Sequence, residues 1–196
     1  MMRTIQEKLV FFRQFIRQPR QTGSVTPSSP FLAQCMLDAV PWERTRSLVE
    51  LGAGTGAITR HIGRMNNNNT RVILFEKEAD LRHQLIDQFP LYTCYDDAGK
   101  LQDALRIEGI GQVDCMLSGL PFFNFTPQVR EQLMQQIYTS LNPGGLFIAF
   151  QYSQQMRKTL SRMFTVEHVH FVPLNIPPAF VYVCRKSDEE SIPHES

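Results

Sequence analysis

Nowhere in the 196 residues does an apolar run reach the roughly twenty positions that a bilayer-crossing helix requires, and no secretory signal is present. A cytoplasmic protein that spans no membrane is expected. Cysteine is sparse and scattered: Cys35, Cys94, Cys115 and Cys184 form no C-x-x-C pair, and three of them sit in apolar runs. That pattern argues against a disulfide framework and predicts reduced, structural thiols. A charge surplus is missing too, since 20 Lys and Arg stand against 19 Asp and Glu, a net charge of +1. Bulk charge therefore gives no unspecific grip on nucleic acid. There is no internal repeat, and the length suits one domain with a substantial core.

What is present is organised around Ser47–Gly56, a short apolar strand that turns through alternating glycines into a helical pattern starting at Ala57. Gly52, Gly54 and Gly56 lack a Cβ, so the backbone there can take positive φ and approach a bound molecule closely. The spacing G-x-G-x-G lacks the later third glycine of the dinucleotide fingerprint and the Gly-Lys-Ser/Thr ending of a P-loop, which disfavours phosphate as the ligand. A second strand, Arg71–Phe75, ends in Glu76, about twenty residues beyond the last glycine. A carboxylate at that strand tip can accept two hydrogen bonds from the hydroxyls of a ribose. Here the residues resemble the class I S-adenosylmethionine-dependent methyltransferases, in which Glu-Leu-Gly-x-Gly-x-Gly is the cofactor loop. The resemblance implies that Glu50, Gly52, Gly54, Gly56 and Glu76 bind S-adenosylmethionine.

Taken in order, residues 1–20 form an amphipathic pattern: Met2, Ile5, Leu9, Phe12 and Ile16 share one helical face, widened by Phe11 and Phe15. Arg3, Lys8, Arg13, Arg17 and Arg20 face a single acid, Glu7, the balance of a helix lying on an anionic membrane. The competing reading is a helix packed on the domain. Pro19 ends it. A turn-rich loop follows, in which Ser28 or Ser29 can cap a helix with Pro30 at its first position. The resemblance makes Gly23, Ser24 and Ser29 candidate contacts to the methionine end of the cofactor. Helices are expected over residues 57–65, 79–88, 127–140 and 154–163, with strands over 91–95, 113–117, 146–151, 165–171 and 179–184. The third strand ends in Asp96-Asp97-Ala98; the resemblance favours Asp97, beside Ala98, for the adenine amine, and one acid of the pair is a helix cap. The fourth strand delivers Ser118-Gly119-Leu120-Pro121, the catalytic position of the class, where Ser118 also meets the cofactor.

The whole implies an α/β fold, a doubly wound seven-stranded Rossmann-like methyltransferase sheet over residues 21–186 whose last two strands form an antiparallel hairpin. The added helix over 1–20 and a flexible polar tail over 187–196 flank it. Several patches together resemble the bacterial phospholipid N-methyltransferases that convert phosphatidylethanolamine to phosphatidylcholine. They are the basic aromatic helix ending at Pro19, Thr22–Val25 with Pro27-Ser28-Ser29 and Leu32-Ala33, the glycine loop, Ser118–Pro121, and Asn175-Ile176-Pro177-Pro178-Ala179. The sequence departs from that pattern at Phe180, where a basic residue is expected.

This resemblance implies S-adenosylmethionine as cofactor, S-adenosylhomocysteine as product, and no metal. It further implies a phospholipid amine as acceptor, an anionic membrane surface as partner, attachment to the inner face of the cell membrane, and a monomer. Tyr152 and the carbonyls of Gly119 and Leu120 are candidates to hold the amine, and Phe122 and Phe123 to receive its cationic forms. Two rivals stand beside this reading. An RNA adenine methyltransferase would end the fourth strand in Asn or Asp where Ser118 stands, and would need wider basic patches. A noncatalytic lipid- or partner-binding protein would keep the cofactor loop only as a relic.

Overall fold

The computed structural model describes residues 28–66 and 70–188. The amphipathic segment 1–20 with Arg3, Lys8, Phe12, Arg13, Phe15 and Arg17 lies outside the described residues, as do Gly23, Ser24 and the tail beyond Asp188.

Seven strands form one sheet: β1 (Ser47–Leu51), β2 (Arg71–Phe75), β3 (Thr93–Tyr95), β4 (Val113–Ser118), β5 (Leu141–Gln151), β6 (Thr165–Val172) and β7 (Ala179–Arg185), in the order β3-β2-β1-β4-β5-β7-β6. The first five run parallel, while β7 is antiparallel to both β5 and β6. Every residue of β1 is buried, as expected of a central parallel strand covered on both faces. Side chains alternate between two cores. Leu48, Val72, Leu74, Cys115 and Leu117 pack against α1 (Pro30–Asp38), α2 (Thr59–Met65) and α3 (Ala79–Gln88). Val49, Leu51, Ile73, Phe75 and Met116 pack against α4 (Leu101–Ile107), α5 (Pro127–Ser140) and α6 (Arg157–Met163). The α/β doubly wound sheet and its terminal hairpin thus stand as the sequence implied. Strand order reverses between β1 and β4, and that switch point opens a crevice at the carboxyl ends of the strands.

Three of the boundaries that differ from the sequence reading do so for local reasons. Helix α2 begins at Thr59 rather than Ala57, because Gly56 is left-handed at φ 75° and the chain needs the following residues to recover helical geometry. Strand β5 reaches back to Leu141 through a bulge, with Val113 paired to Leu141 and Cys115 to Leu146; Asn142 donates to Asp114 Oδ1 at 2.8 Å across it. The helix expected over 154–163 divides into a 3-10 turn, Gln154–Met156, followed by α6. The cap of α1 is as expected: Ser29 Oγ accepts the Leu32 N–H at 3.2 Å and Pro30 holds the first position. All four cysteines are unpaired; Cys115 and Cys184 are buried, and burial lifts the Cys184 thiol to about 12.

Candidate active site

The glycine loop leaves β1 and is held over the end of β2, with the Gly52 and Ala53 N–H groups donating to the Phe75 carbonyl at 2.8 and 3.0 Å. Gly54 then sits at φ 57°, and a Cβ built there meets nothing within 4 Å, so it would project into the open crevice. Its N–H donates to Glu76 Oε2 at 2.7 Å, and the Glu78 N–H donates to Oε1 at 2.8 Å. Each carboxylate oxygen keeps a further lone pair, and the buried Glu76 is aimed by backbone donors on both sides. Below the loop, Glu50 is fully buried and Thr59 Oγ1 donates to its Oε2 at 2.7 Å. Burial pushes the Glu50 carboxyl up to about 8; the Thr59 bond opposes this and nearby Glu76 adds to it. Among the described residues, nothing bonds to Glu50 Oε1, a buried polar atom left open beside the loop.

The loop after β4 packs directly on this cradle. A Cβ on Gly52 would stand 2.9 Å from Leu120 Cδ2, and one on Gly119 would stand 3.0 Å from the Gly52 carbonyl. Gly119 N–H also donates to the Leu51 carbonyl at 2.9 Å, so the two loops are sewn together at backbone distance. Gln151, at the end of β5, donates through Nε2 to the carbonyls of Leu120 (2.9 Å) and Phe150 (2.6 Å). Arg130 on α5 supports the far side, donating to the carbonyls of Phe122 (2.9 Å) and Phe125 (3.1 Å).

Comparison with known proteins adds to this geometry. No protein-family model matches the chain. The ornithine lipid N-methyltransferase of Singulisphaera acidiphila is 34% identical over 182 residues, which cover 90% of this chain and 94% of that protein. The chain belongs to this family of lipid N-methyltransferases. Solved structures share the fold: the N-methyltransferase NodS of Bradyrhizobium japonicum in complex with S-adenosylhomocysteine matches with a TM-score of 0.66 at 9% identity, covering 91% of this chain and 98% of that one. An S-adenosylmethionine-dependent O-methyltransferase of Thermotoga maritima matches at 0.61 and 14% identity, covering 88% and 71%. The protein is a class I S-adenosylmethionine-dependent N-methyltransferase.

The methyltransferase's own residues fit that cofactor. Gly54 leaves the space a ligand would fill, Glu76 presents lone pairs suited to two ribose hydroxyls, and Glu50 is a buried carboxyl that a cationic donor arriving with the methionine end would favour in its ionised form, with Oε1 open to accept from it. Asp97 is the capping member of its pair: its Oδ1 accepts the Gly99 N–H at 2.8 Å and starts the 3-10 turn Ala98–Lys100. Ser29 spends its hydroxyl on the α1 cap, and its N–H donates to Asn175 Oδ1 at 2.9 Å.

Several residues expected to touch the acceptor have other work. Ser118 is fully buried and its Oγ accepts the Leu120 N–H at 3.2 Å, so it shapes the loop from within. The Leu120 carbonyl already receives Gln151 Nε2 and the Phe122 N–H, at 2.9 Å each, which takes up its two lone pairs and fixes the loop. Phe122 is core, buried edge-on against Phe125 and Phe147 at 6.2 and 6.1 Å. Phe123 is at the surface, and the Arg130 guanidinium lies 5.4 Å from its ring centroid and occupies one of its faces. Tyr152 is half-buried beside Phe150, ring centroids 5.7 Å apart, and burial raises its phenol above the ordinary value. It can hydrogen-bond an amine but does not offer a phenolate at neutral pH.

Sequence reasoning missed Gln151, Arg130 and Thr59, because each acts on a carbonyl or carboxylate brought near only by the fold. A direct check of the cradle follows. Gly54→Ala forces a left-handed alanine, at a cost of about 1–2 kcal/mol, and puts a methyl in the crevice. Calorimetry with S-adenosylhomocysteine should show affinity falling at least tenfold, while the protein stays folded by circular dichroism. Unchanged affinity would mean that the ligand does not pass over Gly54.

Proposed function

We propose that the protein transfers methyl groups to the terminal primary amine of a membrane aminolipid, in successive steps, at the inner face of a membrane with an anionic surface. Ornithine lipid is the first candidate, because the relative of that name aligns with nine-tenths of the chain. Phosphatidylethanolamine, methylated toward phosphatidylcholine, is the second and rests on the Ser118–Pro121 and Asn175–Ala179 motifs. The observation that carries the choice of a lipid amine over a nucleobase is the buried, internally bonded Ser118: the end of β4 presents no carboxamide or carboxylate to an adenine amine.

S-adenosylmethionine, when bound, supplies a sulfonium-activated methyl. The chain's part is placement. The glycine loop and Glu76 set the donor, and the Gly119–Leu120 segment, fixed by Gln151 and Leu51, sets the wall against which the amine is aligned. The amine must be neutral for its lone pair to attack; burial beside Phe150 and Tyr152 would favour the uncharged form, because desolvation disfavours the ammonium. The Gly119 carbonyl and the Tyr152 hydroxyl are the candidates to orient it.

Labelled cofactor should be incubated in parallel with vesicles containing ornithine lipid, vesicles containing phosphatidylethanolamine, and undermethylated RNA. Label is expected in the lipid extracts, and at least tenfold faster from ornithine lipid. Label in RNA alone would overturn the lipid reading, and a preference for phosphatidylethanolamine would reverse the order of headgroups.

A further inference from the structure

Beyond the chemistry of the crevice, the hairpin at the sheet edge has a surface that the methyl-transfer site does not use. Strand β5 ends at Gln151, which pairs with Phe180 of β7, and Phe180 pairs in turn with Phe171 of β6. The connection 173–178 therefore stands at the same end of the sheet as the glycine loop and Ser118. Large apolar side chains on it and beside it are exposed: Leu174 61%, Ile176 78%, Phe171 of β6 56%, and Phe31, one residue into α1, 56%. The rings of Phe171 and Phe180 lie 5.1 Å apart and continue the patch along the edge.

The tip is held in place. Asn175 is buried between the two exposed residues, accepts the Ser29 N–H at 2.9 Å, donates through Nδ2 to the Pro177 carbonyl at 2.7 Å, and its own N–H reaches the Val172 carbonyl at 3.4 Å. Pro173, Pro177 and Pro178 have no N–H at all. Three prolines and the bonded Asn175 N–H leave only the Leu174 and Ile176 N–H groups as open backbone donors along 173–178, which lowers the cost of setting the tip in the polar–apolar interface. Cations flank it. Arg157 lines a groove with Phe171, Phe180 and Gln154, and the exposed Lys158 and Arg162 follow on α6, which carries no acid. Glu167, in the same groove, is bonded to Arg185.

We propose that this rim, Phe31, Phe171, Leu174 and Ile176 with the basic face of α6 beside it, docks on an anionic lipid bilayer and sets the crevice mouth against the headgroups. The apolar tip enters the interface while Arg157, Lys158 and Arg162 meet anionic headgroups. The proposal deepens the lipid reading of the site and rests on it for its purpose, though not for its test.

The full-length protein and its Leu174→Ser/Ile176→Ser and Phe171→Ser/Leu174→Ser/Ile176→Ser variants should be sedimented with vesicles of phosphatidylcholine and phosphatidylglycerol, which contain no acceptor amine. Binding is expected to weaken at least about tenfold, with affinity for S-adenosylhomocysteine unchanged as the control for folding. Turnover on aminolipid vesicles should fall in step, whereas turnover on a monomeric short-chain aminolipid should not. Arg157→Glu/Lys158→Glu should weaken binding to these vesicles and leave that to pure phosphatidylcholine unaffected. Unchanged sedimentation of the triple variant would overturn the proposal and leave the rim to the chain's own first residues. A wild-type dimer that the substitutions convert to a monomer would instead assign the rim to a second copy. Loss of vesicle binding with no turnover on any lipid would sink the substrate reading and leave the docking surface standing.

Discussion

Glu76→Ala is expected to abolish measurable S-adenosylhomocysteine binding. Two ribose hydroxyls would lose their carboxylate acceptor, and hydrogen bonds to charged groups contribute about 1.5–3 kcal/mol each, so the loss is on the order of 3–6 kcal/mol, or two to four powers of ten in affinity. The structure adds a second contribution that works in the same direction. Glu76 Oε2 also receives the Gly54 N–H, so removing the carboxylate frees the middle of the glycine loop as well as the ribose contact. Glu76→Gln keeps one carbonyl oxygen and the shape of the side chain, and should lose less. Calorimetry on both variants, with a thermal melt as control for folding, gives the comparison. If the alanine variant binds within threefold of wild type, Glu76 is an anchor for the loop and the ribose is held elsewhere.

Glu50 gives the second large effect, and its sign is opposite to that of an ordinary buried carboxylate in an ion pair. The folded protein holds the Glu50 proton up to about pH 8, whereas the unfolded chain releases it near 4.5. Between those values the folded state binds a proton that the unfolded state has lost, so stability is full below about 4.5 and declines as pH rises toward 8. A separation of about 3.5 pH units at roughly 1.4 kcal/mol each is on the order of 5 kcal/mol across the window. Glu50→Gln, a neutral group of the same shape, should flatten that part of the pH profile of the cofactor-free protein. Denaturant titrations at several values from pH 5 to pH 8 measure it; parallel profiles for the two proteins would show that Glu50 is already ionised in the fold.

The glycine loop, Glu76 and the seven-strand alternation were legible because each is a local pattern. Positive φ at Gly54 and a carboxylate at a strand tip are properties of short segments, and so was the Ser29–Pro30 cap. The aromatic run Phe122–Phe125 was legible only as a run. Which ring enters the core and which one reaches solvent is decided by the 3-10 turn and by Arg130, which holds the carbonyls of Phe122 and Phe125 from eight and five residues away. The same holds for Leu120: its carbonyl looked free until β5, thirty-one residues later, brought Gln151 against it.

The sequence by itself determined the class of the protein, because a cofactor loop and its acid are encoded within a strand, a turn and a strand. It also determined the order of the elements, through runs of apolar residues whose period distinguishes buried strands from helices. Tertiary structure alone decided which candidates touch a ligand and which serve the frame, since that depends on lone pairs and ring faces already taken by distant partners. It alone placed Leu174, Ile176 and Phe171 at the same end of the sheet as the crevice, because the antiparallel return of β7 along β5 carries the hairpin tip to the carboxyl end of the parallel strands.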